Sequence, residues 1–228
     1  MTRAIAALVL FGVSFGYVEA AVVAYLRAIY DPLRQRLHPE RPDGDLFPLI
    51  TPRQLMDSGP DNVHRLEIEL GREAATLIML ASAGLAVSRN AQQWVAATLV
   101  AFGVWDISFY AFLRLLIHWP RSLFTWDILF LLPVPWVGPV IAPIIVSLSM
   151  IACGIVVLRR VVHFRASHWA AILGGGLLVI AACCWDFRNT GAGGLPSPFN
   201  WPLFFVGEMI GIAGFIMAAR YPSGLTHG

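Results

Sequence analysis

The stretch VGPVIAPIIVSLSMIACGIVVL, Val137 to Leu158, contains no charged residue. As an α-helix, at about 1.5 Å per residue, it would be about 33 Å long. That spans the roughly 30 Å hydrocarbon core of a bilayer. Five more stretches of similar character lie on either side of it: Ala4–Leu26, Leu66–Val87, Trp94–Ile117, Trp169–Trp185 and Trp201–Ala219. The first is apolar apart from Glu19. A secretory signal peptide competes for it, since Arg3 precedes an apolar run and Val18-Glu19-Ala20 loosely fits a cleavage site. The run continues through Leu26 and is too long for a signal core, so an uncleaved first span is expected.

Composition agrees with this reading. Hydrophobic residues make up 57% of the 228 and charged residues 13%, against about 25% charged in ordinary soluble domains. Mean hydropathy is +0.68. The sixteen cationic residues are all arginine and leave a net charge of +2, too weak a balance for nucleic acid. Three cysteines without a CxxC pair give neither a disulfide framework nor a zinc cluster. The expected fold is therefore an all-α integral membrane protein of about six transmembrane helices, forming a single membrane domain over 1–228 in contact with the lipid bilayer.

Two connections stand out. Residues 31–64 form a polar, Pro-rich loop, in which Leu46-Phe47-Pro48-Leu49-Ile50 is short and apolar enough to dip onto the membrane surface. Between spans three and four, WPRSLFTWDILFLLPVPW (Trp119–Trp136) is apolar but too short to cross and return as a helix. A re-entrant or interfacial segment is expected there. The arginine bias of the short loops, with Arg89, Arg159, Arg160 and Arg165 on one side, places both termini in the cytoplasm and the 31–64 loop outside.

Ionisable residues concentrate in one half of the membrane. Glu19, Glu73, Tyr110 and Glu208 each lie seven residues from the span end that faces the 31–64 loop, about 10 Å deep. Asp106 is a turn deeper, and Asp127 and Asp186 lie nearer the mouth. Charges in hydrocarbon cost several kcal/mol, so these groups should face a cavity. In span three, Asp106, Tyr110, Arg114 and His118 recur every fourth residue, and in span two Glu69 and Glu73 flank Arg72. Small-residue ladders, Gly12-Gly16-Ala20 and Gly207-Gly211, mark faces where helices approach closely.

A divalent metal ion is the cofactor such carboxylates would suit, with Glu19, Glu73, Asp106, Glu208 and Glu69 as hard oxygen ligands and His118 as a borderline one. Tyr110, Arg72, Arg114, Asp127 and Asp186 would line the same cavity. A proton is the other candidate occupant. The simpler alternative is a set of buried ion pairs that fix packing. Three function classes stay open: a metal- or proton-binding protein, enzymatic or not; a small cation- or proton-coupled carrier; and an accessory subunit of a larger membrane complex or homo-oligomer, with the carboxylates purely structural.

Three stretches carry a family resemblance: GYVEAAVVAYLR in span one, ELGREAATLIML in span two, and FGVWDISFYAFLRLLIHWPRSLFTWDILFLLPVPWVGPV from span three onward. Over about residues 10–150 the chain resembles a group of uncharacterised polytopic proteins of the bacterial inner membrane. The resemblance implies that location and no activity, cofactor or catalytic residue.

Overall fold

A computed structural model describes residues 1–42 and 45–220. Asp43 and Gly44 of the polar loop, and residues 221–228, on which the expected cytoplasmic C-terminus falls, lie outside the described residues. The chain runs α1 (Thr2–Leu37), α2 (Pro52–Asp57), α3 (Pro60–Val87), α4 (Ala91–Ile117), β1 (Trp126–Phe130), β2 (Trp136–Pro139), α5 (Ile141–Arg159), α6 (Ala166–Cys183), α7 (Phe187–Gly191) and α8 (Trp201–Arg220). Six of these, α1, α3, α4, α5, α6 and α8, are long and apolar enough to cross a membrane. The protein is an all-α membrane protein with one small β-hairpin.

The polar connection is shorter than its composition suggests. Helix α1 continues eleven residues past Leu26, carrying Pro32 within it and Arg34 and Arg36 in its last turn, where cations complement the helix dipole. Helix α3 begins at Pro60, after Gly59 at φ 118°. Pro at the first helical position costs no hydrogen bond, and the left-handed backbone before it suits glycine. Phe47, from the short apolar piece of this connection, is buried, with its ring 6.4 Å from that of Trp126.

Helix α4 is the centre of the bundle and packs on α1, α3 and α5. The first half of its buried face is Ala96, Ala97, Val100, Ala101 and Gly103, small enough for backbones to come close, and Trp105, Asp106, Tyr110 and Leu113 follow. The ladder read from α1 fits here: a Cβ on Gly16 would lie 2.8 Å from Ser108 Cβ and 2.9 Å from the Phe109 nitrogen. Helices α6 and α8 form a second unit with the same chemistry. A Cβ on Gly175 would lie 2.5 Å from the Gly207 oxygen and 2.6 Å from the Gly211 nitrogen. This pair meets the rest of the bundle sparsely, through α5 and β2.

The segment between α4 and α5 is an antiparallel hairpin. Trp126 pairs with Pro139, Asp127 with Gly138 and Ile128 with Val137, followed by an irregularity before Phe130 and Trp136. Non-helical backbone at membrane depth must be buried in protein or line a cavity, because lipid offers it no hydrogen bonds. Strand pairing satisfies the hairpin's flanks, and the Val140 N–H continues the pattern to the Thr125 oxygen at 3.0 Å.

The α6–α8 contact is testable. Gly175→Ala should destabilise the protein by about 1–3 kcal/mol, the usual cost of forcing atoms into a packed interface. Gly174→Ala, at a neighbouring position with nothing within 4 Å, should be nearly neutral. Thermal unfolding of both variants in detergent checks the pair.

Candidate functional site

A cavity of about 880 Å³ is lined by residues of α1, α3, α4, the hairpin, α5, α6 and α8, and by Leu46, Leu49 and Ile50 of the 31–64 connection. Seven carboxylates and three arginines line it. Of the residues singled out in the sequence, Glu19, Glu69, Arg72, Glu73, Asp106, Tyr110, Asp127 and Glu208 are brought to this one space.

The carboxylates fall into two groups. In the first, Arg72 of α3 bridges two acids. It donates to Glu19 of α1, and to Glu69 one turn back on its own helix through Nε at 2.9 Å and Nη2 at 2.5 Å. Thr76 Oγ1, four residues further along α3, donates to the other Glu19 oxygen at 2.7 Å. The spacing of Glu69, Arg72 and Thr76 puts all three on one helix face. Glu73 has a different task. Its oxygens each accept the Leu131 N–H at 3.0 Å, and one accepts the Leu132 N–H at 3.4 Å. It satisfies the backbone at the tip of the hairpin.

The second group has only neutral partners: hydroxyls, and for Asp127 also the Ile128 N–H. Asp106 of α4 accepts from Ser147 of α5 at 2.8 Å, and both are buried. Asp127 of β1 accepts from Tyr110 at 2.9 Å. Glu208 of α8 accepts from Ser149 of α5. None of the three is in ion-pair contact with a cation among the described residues. Arg27, the arginine whose charge reaches Asp127, stacks its guanidinium 3.7 Å above the Trp119 ring.

Three expected residues are not among those lining the cavity. The stripe on α4 ends at Tyr110, because the helix terminates one turn beyond Arg114. His118 is the exposed C-cap, in the left-handed conformation at φ 55° and ψ 26°. Arg114 turns to that terminus and donates to the His118 oxygen at 2.7 Å and the Pro120 oxygen at 3.3 Å. Asp186 organises the connection between α6 and α8. It accepts from the Ser197 N–H at 2.8 Å, Ser197 Oγ at 3.1 Å and Asn189 at 3.0 Å. Burial opposes its ionisation, yet these donors hold its carboxyl below the ordinary aspartate value.

The donors also do not converge on one point. Among the described residues, no group of three or more His, Cys, Asp or Glu is placed to hold a metal ion. The arrangement is a row of separate carboxylates, each with its own neutral or cationic partner. Sequence reasoning missed the serines. Ser147 and Ser149 are polar side chains in the span read as free of charge, and that contrast was the available signal. It also missed the aromatic lining from Phe102, Trp105, Phe109, Phe130 and Trp136.

The two groups should respond differently to substitution. Arg72→Met strips Glu19, itself 4% exposed, of its cation and should cost about 3–5 kcal/mol, as breaking a buried pair does. Adding Glu19→Gln should recover part of that loss. A double-mutant cycle on thermal stability in detergent measures the coupling. Compared with protein-family models, with curated proteins and with solved structures, the chain finds no significant match.

Proposed function

We propose that the protein is a membrane-embedded binding protein whose cavity takes up a proton or a cation at Asp106, Asp127 and Glu208. The observation that carries this reading is the partnering of those three acids. Each lines one shared cavity and has neutral hydrogen-bond donors as its contacting partners, a hydroxyl in every case and the Ile128 N–H as well for Asp127. A carboxylate held in a low-dielectric site without a contacting cation is costly unless a proton or cation balances it. Dispersed acids along a cavity suit the handing-on of a proton or small cation, as in a coupled carrier. A hard divalent metal would need several of these oxygens drawn onto one ion.

The first carboxylate group favours a second reading, an accessory subunit with structural acids. Glu19, Glu69 and Arg72 satisfy one another, and Glu73 is spent on the hairpin. That account leaves Asp106, Asp127 and Glu208 without a purpose. For this reason the binding reading is preferred.

Linkage separates the two. Thermal unfolding in detergent would be followed from pH 5 to pH 8, and with sodium, potassium or magnesium added. An occupant at a hundred times its dissociation constant stabilises by about 2.7 kcal/mol. The wild-type melting temperature should move with pH or with one cation, and Asp106→Asn and Glu208→Gln should diminish that response. Asp186 does not interfere. Its carboxyl lies below its ordinary value, so its stabilisation is complete above that value and lost only as pH falls further. Equal responses in wild type and both variants would leave the accessory-subunit reading.

We also place the protein in a bacterial inner membrane, as the family resemblance implies, with its N-terminus and the Arg159–Arg165 loop in the cytoplasm on the arginine bias of the short loops. Single cysteines at Ser58 and Ser167, in a cysteine-free background, test the orientation. An impermeant reagent on intact cells should label position 58 and spare position 167. The opposite pattern would invert the topology.

A further inference from the structure

We propose that the cavity is a binding site for a hydrophobic organic cation, an ammonium or phosphonium centre carried on an apolar or aromatic body. This deepens the proton- or cation-binding reading and rests on it. Three independent features of the cavity point to the same ligand chemistry.

The first is size and wall. At about 880 Å³, the space is near the top of the range for sites that enclose small organic molecules, about 300–1,000 Å³. It is far larger than a bare ion or proton requires. Away from the acids its wall is apolar, with Val146, Met150 and Val157 of α5 opposite Ile172 of α6 and Phe215 of α8.

The second is charge. Seven carboxylates face three arginines at the cavity, so acid is in excess. Arg72 is shared by Glu19 and Glu69, Arg34 pairs with Asp31, and Arg27, stacked on Trp119, reaches Asp127 with its charge. Asp106 and Glu208 have no cation in contact among the described residues, and Glu73 is bound to the hairpin backbone. A ligand that complements this cavity carries positive charge.

The third is an aromatic wall beside those acids. Phe102, Trp105, Asp106, Phe109 and Tyr110 follow the i, i+3, i+4, i+7, i+8 spacing of one helix face, and all line the cavity. Trp105 lies 5.2 Å from Phe102 and 6.1 Å from Phe109, centroid to centroid. The hairpin extends the wall through Phe130, 6.1 Å from Phe102, and Trp136, 5.5 Å from Phe130. Ring faces attract cations, most strongly when water is excluded, and tolerate the diffuse charge of a substituted ammonium. Trp105 is 7% exposed, and its indole N–H and that of Trp136 have no partner among the described residues.

The test uses two probes of nearly equal size and opposite sign, tetraphenylphosphonium and tetraphenylborate, with the full chain in detergent and equilibrium dialysis as the readout. Tetraphenylphosphonium should bind saturably, and tetraphenylborate should not. Asp106→Asn, which keeps a hydrogen bond available to Ser147, and Glu208→Gln should each weaken the cation at least tenfold. Trp105→Leu should weaken it without creating affinity for the anion. Thermal unfolding confirms that each variant is folded, and Asp127→Asn replaces either one that is not. Unsaturable uptake of both ions alike, or binding of the cation unchanged by the acid variants, would overturn the proposal. If the phosphonium fails to bind while melting still responds to pH or small cations through Asp106, the organic-cation inference falls and the reading beneath it stands. Loss of both responses removes both.

Discussion

The peptide N–H groups of Leu131 and Leu132 sit at the tip of a hairpin that reaches among membrane-spanning helices, and the carboxylate of Glu73 is what receives them. A hairpin tip has no strand partner for its outermost donors, and hydrocarbon offers none. Glu73 solves this from α3, a helix far away in sequence. The bond fixes the hairpin's depth and joins α3 to the segment between α4 and α5. It also holds Asp127 and the aromatic pair Phe130–Trp136 against the cavity. Remove the acceptor and the structure loses both a satisfied backbone and one end of the site.

The number and order of the spans were legible in the sequence because apolar length is a strong signal and a bilayer imposes a fixed length. The ends were not. Arg27, Asp31 and Arg34 look like loop composition, yet they continue α1, where Arg34 and Asp31 sit at i and i+3 and pair on one face. The hairpin was legible only as something that could not be a crossing helix. Both of its faces are apolar, so the alternation that marks a strand is missing from WDILF. Its length, between Pro120 and Pro133, ruled out a helix that crosses and returns without saying what stood in its place.

The site was legible as a depth and not as a set of bonds. Counting from span ends brought Glu19, Glu73, Tyr110 and Glu208 to one level, and the structure brings them to one cavity. What each acid bonds to was beyond the sequence. Glu73 is answered by main-chain donors, which have no residue code. Asp106 and Glu208 are answered by serines two residues apart on α5, which project from different sides of that helix, and nothing in their spacing identified the partners. Arg114 and His118 matched the periodicity of the stripe but fell where the helix ends, and a helix end redirects its last turn to its own open carbonyls.

The glycine contact between α6 and α8 has a mechanical consequence. Backbone meeting backbone leaves no rotamers to rearrange, so the two helices form a stiff double rod. That rod is coupled to the α1–α3–α4–α5 body over little surface, with the Ser149–Glu208 bond as one of its few polar joints. Breaking that one bond would free the rod from one of the few points that hold it against the body, at the border of the cavity between them.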